Sequence, residues 1–564
     1  MDRSMFGAES EYAIAGINGT EPMGRDDLVS RFLRAAHRRL PHLPDTCSPS
    51  GMFLENGARF YIDCGLHPEM TTPECTTPWE LARYIKAGER ILERLTQEVQ
   101  AEVGAAAEIM CFRCNVDYSG SGSTWGCHES YLHRTTPSSL PDQLIPHLVT
   151  RVIYTGAGGF NPLVSGLQFC VAPRLMHIQR TVSADSTGNR GIFHTKNEPL
   201  AGGGNHRLHI LCGESLCSET AVVLKFGATA LVTAMAQEGL IPTAELRLAS
   251  PLDALHAVSS DATCRQKLHL AGGGETTAIE IQRRFLHLAE RNRALLPSWG
   301  GALCALWRLV LDQLEGAPDS VGAVLDWAIK LRLFRDRAGR RGVPWGRFAF
   351  LSSIAQRLTA ALAGAGVAGR DIRLGVVLGP GCLIPAEAAC VGSMLAAEGL
   401  AWADLERFLN LRGEFYQIDT RFGQIGARGI FAEMDRAGVL DHAVAAVDGV
   451  EAAMREPPAV GRAKLRGETV RRLSGQSRAG CSWTAVFGPD GRTLDLGDPF
   501  AAAASWTDPP TPPRVGDLPP ELPVDDPFGD AGRLQRMLDA MRFRHVRSRS
   551  RAQGPPETAE GPGR

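Results

Sequence analysis

The segment Asn56-Gly57-Ala58-Arg59-Phe60-Tyr61-Ile62-Asp63 constrains the fold more than any other stretch of this chain. Alternate residues of an extended strand face the same side. Arg59, Tyr61 and Asp63 therefore point one way, and Phe60 and Ile62 the other. The apolar pair must lie on a core, which leaves a guanidinium, a phenol and a carboxylate on the open side. Taken alone, such a pattern is more often an amphipathic strand with a surface Arg–Asp pair than a site.

Neighbouring segments repeat it. From Met5 to Ile14, Glu9 and Glu11 share a face opposite Phe6 and Tyr12. In Asn205 to Ile210, Arg207 and His209 share a face opposite Leu208 and Ile210. Phe112 to Asp117 is expected to continue as a strand with Arg113, Asn115 and Asp117 on one face. Brought into one sheet, these strands form a polar trough in which acids suit a hard cation and arginines suit phosphate. His128-Glu129, after Ser119-Gly120-Ser121-Gly122-Ser123, reads equally well as part of a site loop or as an ordinary turn.

Helical spacing predicts helices over Glu80–Val99, Ser218–Gln237 and Thr277–Asn292, and a helix-rich stretch from Leu303 to Ala363. A main domain is expected over 1–412, with the Ala/Gly-rich segment 364–412 as an insertion. A small C-terminal domain is expected over 413–503. Residues 504–564 are expected to be a Pro-rich linker and a basic, disordered tail, with a short amphipathic helix around Leu534, Met537, Leu538 and Met541.

A net charge of −2 over 564 residues gives no field that draws the chain to nucleic acid or an acidic membrane. The most apolar stretch, Leu374 to Trp402, is broken by Pro380, Pro385, Glu387 and Glu398, so no membrane span is expected. The 14 cysteines sit mostly in apolar runs, which suits reduced thiols and a cytoplasmic location. No GxxxxGK[ST] loop, GxSxG elbow or HExxH helix is present. Cys111 and Cys114 have CxxC spacing without a second pair, so a buried structural role is expected rather than zinc.

The chain resembles the Pup–protein ligase and Pup deamidase/depupylase family, relatives of glutamine synthetase. The resemblance rests on Gly7-Ala8-Glu9-Ser10-Glu11-Tyr12, on Asn56 through Asp63, and on His67-Pro68-Glu69 and Thr72-Pro73-Glu74-Cys75. Gly126-Cys127-His128-Glu129, Arg207-Leu208-His209, Leu465-Arg466-Gly467-Glu468, Trp483 and Asp498-Pro499-Phe500 extend it. It implies an α+β fold: a glutamine-synthetase-like concave antiparallel sheet backed by helices, with a small C-terminal domain. It implies magnesium held by Glu9, Tyr61 and Glu69, ATP contacted by Arg59, Thr72 and Trp483, and Asp63 as general base. Arg207 and His209, which share a wet strand face, are counted with the cofactor-binding groups.

The implied reaction is ATP-dependent. The C-terminal glutamate γ-carboxylate of a Pup-like modifier becomes a γ-glutamyl phosphate, and a protein lysine attacks it. The implied partners are that modifier, lysine-bearing proteins and, indirectly, the proteasome. The Asp63-Cys64-Gly65-Leu66-His67 spacing and the short Gly16–Gly51 stretch look like the ligase, whereas Arg190-Gly191 looks like the hydrolase. A depupylase/deamidase, a small-molecule carboxylate–amine ligase and a non-catalytic scaffold stay open as alternatives. Where the family shows Ser-Gln-Arg this chain has Ala172-Pro173-Arg174. Where it shows Asn-Thr-Arg-Asp-Glu-Pro-His this chain has His194-Thr195-Lys196-Asn197-Glu198-Pro199-Leu200.

Overall fold

The computed structural model describes residues 4–198, 200–364, 385–441 and 448–508. The Pro-rich stretch from position 509, the helix expected around Leu534 and the basic end lie outside the described residues, as does 365–384.

Seven antiparallel strands form the main sheet, in the spatial order His206–Ile210, Cys127–His133, Phe6–Glu11, Pro68–Thr71, Arg59–Ile62, Met52–Leu54 and His42–Pro44. One side of this sheet is core. Phe6, Ala8, Phe60, Ile62, Tyr131, Leu208 and Ile210 are all buried there. That leaves their alternate neighbours on the other side.

Helices cover the core side, and their starts follow from capping chemistry. In Pro78–Val103 the Thr77 side chain accepts the Glu80 N–H, with proline in the first turn where no donor is needed. The helix is longer at both ends than periodicity alone suggests, because the cap and Gly104 set its limits. Ser218 caps Glu219–Gln237, and Thr277 with Glu280 forms a capping box on Ala278–Arg291. Glu219–Gln237 is long and apolar enough to cross a membrane by composition, but 89% of its most apolar window is buried inside the protein. It is a core helix of the fold.

The helices Asp326–Arg340, Phe348–Gly364, Pro385–Ala397 and Trp402–Phe422 share a second core around Phe334, Phe348, Phe408 and Phe415. Trp402–Phe422 runs unbroken across position 412, so no domain boundary falls there. A four-stranded sheet, Gly480–Cys481, Ala485–Phe487, Thr493–Asp495 and Trp506–Thr507, packs with helix Arg462–Leu473. Its core includes Leu43 and Phe53, so this unit is completed by the edge strands of the main sheet.

Candidate functional site

Strand register assembles the site. Glu9 pairs with His128 on one side and Thr71 on the other, and Thr71 pairs with Arg59. One step along, Glu11 pairs with Glu69, and Glu69 with Tyr61. Residues directly opposed in antiparallel strands share a face. All seven side chains therefore stand on the side away from the core. His209, opposite Ser130, and Arg207, opposite Leu132, extend this face to the sheet edge.

The Tyr61 hydroxyl lies in hydrogen-bond contact with both Glu9 Oε1 and Glu69 Oε2. Glu69 is 4% exposed. Burial, and then the charges of Glu9 and Glu11, raise its carboxyl well above the usual range. Burial, Glu9 and Glu69 likewise raise the Tyr61 phenol. Burial also disfavours ionised Glu9, but His128 and His209 outweigh it and hold that carboxyl low. His128 Nδ1 is 3.3 Å and His209 Nε2 4.0 Å from Glu9 Oε2. This is an oxygen-rich cluster with more negative charge than its protein neighbours offset, and Glu9, Tyr61 and Glu69 fit a magnesium ion as ligands.

Beside it is a cavity of about 390 Å³, lined by Glu9, Arg59, Thr72, Lys196, Arg207, His209, Arg462 and Trp483 among others. Arg59 lies over the Tyr61 ring, 3.9 Å from its centroid, and its Nη2 is 2.6 Å from Asp45. The Thr72 hydroxyl accepts the Ala8 N–H at 3.0 Å. Trp483 meets Phe53 edge-on at 5.1 Å. Basic groups with one aromatic wall are the lining a nucleotide requires.

Asp63 sits one residue past the end of strand Arg59–Ile62. The turn Asp63–His67 is closed by two backbone bonds, from the Asp63 N–H to the His67 carbonyl and from the Leu66 N–H to the Asp63 carbonyl, with Leu66 at φ 63°, a conformation that costs a leucine. The His67 N–H donates to Asp63 Oδ1 at 2.6 Å, and Glu11, Asp63 and His67 bring their polar atoms together.

The C-terminal unit is tied to the trough by Glu74. Arg462 Nε is 2.6 Å from Glu74 Oε1, and fully buried Arg466 pairs with Oε2. Burial opposes ionisation of Glu74, but the two guanidiniums lower its carboxyl to about 2. Arg466 also donates to the Gly57 carbonyl at 2.9 Å and stacks over Trp483 at 4.8 Å. The helix approaches so closely that a Cβ on Gly467 would stand 2.6 Å from the Glu55 carbonyl oxygen, so only glycine fits.

Arg59, Tyr61, Asp63, Glu9, Glu69, Thr72, Arg207, His209 and Trp483 thus all come to this one side: Glu9, Arg59, Thr72, Arg207, His209 and Trp483 line the cavity, Tyr61 and Glu69 join it through Glu9, and Asp63 lies against Glu11. His128 joins them from a strand, neither a loop nor a turn, while Glu129 points back into the core against Arg151. The expected strand through Asp117 is corrected. Pairing ends at Phe112, where the Arg113 N–H turns to the Gly423 carbonyl. Arg113 is buried against Glu89, Asn115 is tied to Ser215, and Asp117 closes the serine turn. Two groups escaped the sequence reading: Asp45, which orients Arg59, and Arg462. Each acts across a long sequence separation that alternation does not register.

The family model described as Pup-ligase protein matches residues 4–355 and 391–487. A Pup–protein ligase of Nocardioides sp. (strain ATCC BAA-499 / JS614) is 37% identical over 360 residues, which covers 61% of this chain and 77% of that protein. Two solved structures are similar at 26% identity each. The ligase PafA in complex with the prokaryotic ubiquitin-like protein Pup has a TM-score of 0.67, covering 89% of this chain and 91% of that one. PafA in complex with ADP has a TM-score of 0.63, covering 86% and 92%.

Proposed function

The chain belongs to the Pup-ligase protein family, and from that premise we propose how its trough carries out ATP-dependent ligation of Pup. The fold is the α+β, glutamine-synthetase-like one, and both a nucleotide and Pup are its ligands. The observation that carries the reading is the convergence of Glu9, Tyr61, Glu69, Arg59 and Asp63 on one side of a single sheet, with Glu9 and Arg59 lining the cavity.

A carboxylate is a poor electrophile, so the γ-carboxylate of the C-terminal glutamate of Pup must first take the γ-phosphoryl group of ATP. Arg59, fixed by Asp45 and Tyr61, faces the phosphates, Thr72 lines their path, and Trp483 flanks the base. Magnesium held by Glu9, Tyr61 and Glu69 would offset charge on the transferring group. A lysine ε-ammonium of the acceptor protein then gives a proton to Asp63. The free amine attacks the acyl phosphate, phosphate leaves, and an isopeptide bond remains. Lysine-bearing proteins as acceptors, and a proteasome as reader of the tag, belong to this proposal. So does a reducing, cytoplasmic compartment, which the free thiols of the described cysteines support.

Hydroxylamine tests the activation step without an acceptor. The protein, ATP, magnesium, hydroxylamine and a Pup-like modifier ending in glutamate should give a modifier γ-hydroxamate with stoichiometric ADP. ADP release without hydroxamate would exclude an acyl phosphate.

A further inference from the structure

Arg59 is held on its face and on one edge. The guanidinium lies over the Tyr61 ring, 3.9 Å from the centroid, which sets its plane. Its Nε donates to Asp45 Oδ2 at 2.7 Å, and its Nη2 stands 2.6 Å from the same oxygen. A guanidinium grips an oxyanion with one of two forked edges. Asp45 takes the Nε–Nη2 edge and leaves the Nη1–Nη2 edge to a ligand of the cavity, which both residues line.

Asp45 is itself fixed. Its side chain is 2% exposed, and its Oδ1 accepts the Cys47 N–H at 2.8 Å. The Asp45 N–H donates to the Gly51 carbonyl at 3.0 Å, and a Cβ on Gly51 would stand 2.9 Å from Asp45 Oδ2. The same loop is fastened to the C-terminal unit. The Thr46 N–H and the Thr46 hydroxyl both donate to the Cys481 carbonyl, at 3.0 and 3.3 Å. Trp483, the aromatic wall, follows Cys481 by two residues. One seam therefore sets both that wall and the carboxylate that aims Arg59.

The charge of Asp45 matters as much as its place. An unopposed arginine beside the phosphates would hold substrate and product alike. Binding that is equal in the ground and transition states does not speed the chemical step, and tightly held product slows turnover. A carboxylate in contact with the guanidinium offsets that uniform attraction. What remains is a directed pair of N–H groups, whose worth is greatest where charge develops.

We propose that Asp45 is a positioning residue with two effects: it aims the Nη1–Nη2 edge of Arg59 at the transferring phosphoryl group, and it weakens the hold of Arg59 on ADP so that the product leaves. The first effect rests on the ligase reading above.

The test measures ADP binding with magnesium by calorimetry, and steady-state ligation of a Pup-like modifier to a lysine-bearing protein, on the full chain. Wild type, Asp45→Asn and Gly51→Ala are compared. Asp45→Asn keeps the shape and removes the charge. It should bind ADP about 3- to 30-fold more tightly, the effect of one unit charge removed at close range. Its kcat should fall about 10- to 100-fold, as for a displaced reacting group. A merely structural Asp45 would instead lose ADP affinity and melting temperature together. Gly51→Ala keeps the charge and pushes the carboxylate off Arg59, so kcat should fall while ADP affinity stays close to that of the wild type. Asp45→Asn that binds ADP no more tightly than the wild type, or that keeps the wild-type kcat, overturns the proposal. Should Asp45→Asn not fold, Gly51→Ala decides, and an unaltered kcat there overturns it. Tighter ADP binding by Asp45→Asn, with no ligation by the wild type, supports the charge effect and removes the ligase reading instead.

Discussion

Asp63 is held at one oxygen by His67: the His67 N–H donates to Oδ1 at 2.6 Å, while the ring Nδ1 stands 3.3 Å from Oδ2 without a hydrogen bond. A five-residue turn thus presents a carboxylate in one orientation, at the end of the strand that carries Arg59 and Tyr61. Asp63→Asn keeps the shape and the Oδ1 bond but cannot take a proton. Ligation should fall about 10²- to 10⁴-fold, the usual worth of a general base, with ATP affinity unaltered. Rates and nucleotide titrations on the same preparations check this.

Glu69 is buried among like charges, which raises its carboxyl and makes the ionised form a strain on the metal-free protein. Glu69→Gln should therefore leave the melting temperature without divalent ions unchanged or higher. It should also weaken Mn²⁺ binding, read by electron paramagnetic resonance, by at least about tenfold. A lower melting temperature with undiminished Mn²⁺ affinity would show that Glu69 has a purely structural role.

Arg466→Ala leaves Glu74 with one partner and opens a gap beside Trp483. Removing one member of a buried pair costs about 3–5 kcal/mol. Thermal unfolding should show that loss, and ATP affinity should fall with it, because the same guanidinium braces the aromatic wall of the cavity.

The same pair sets a pH dependence. The folded-state carboxyl of Glu74 is lowered from 4.5 to about 2. Its stabilisation is thus fully present above about pH 4.5 and is lost as pH falls through 2. Urea melts at pH 5 and pH 3 should show a smaller loss of stability on acidification for Glu74→Gln than for the wild type.

Much of the site could be read from alternation. Arg59 and Tyr61 against Phe60 and Ile62, and Arg207 and His209 against Leu208 and Ile210, fall on the sides the pattern assigns. The helix starts expected at Ser218 and Thr277 coincide with caps, whereas the helix expected from Glu80 begins at Pro78, behind the Thr77 cap that apolar spacing does not register. The failure at Arg113 has a distant cause. Its run looks like a strand, but pairing stops where Gly423 takes the next N–H, a partner more than 300 residues away in sequence. Asp45 and Arg462 were missed for the same reason: their targets, Arg59 and Glu74, are brought to them only by the sheet and by the helix packed on its edge.

Intact-mass analysis of one reaction tests the central claim most directly. The purified protein is mixed with ATP, magnesium, a Pup-like modifier ending in glutamate and a lysine-bearing acceptor protein. The account predicts an acceptor heavier by one modifier less one water, linked through the terminal γ-carboxyl, with one ADP per bond and no product from the Asp63→Asn protein. Cleavage of a preformed conjugate without any ligation, or equal product from Asp63→Asn, would contradict it.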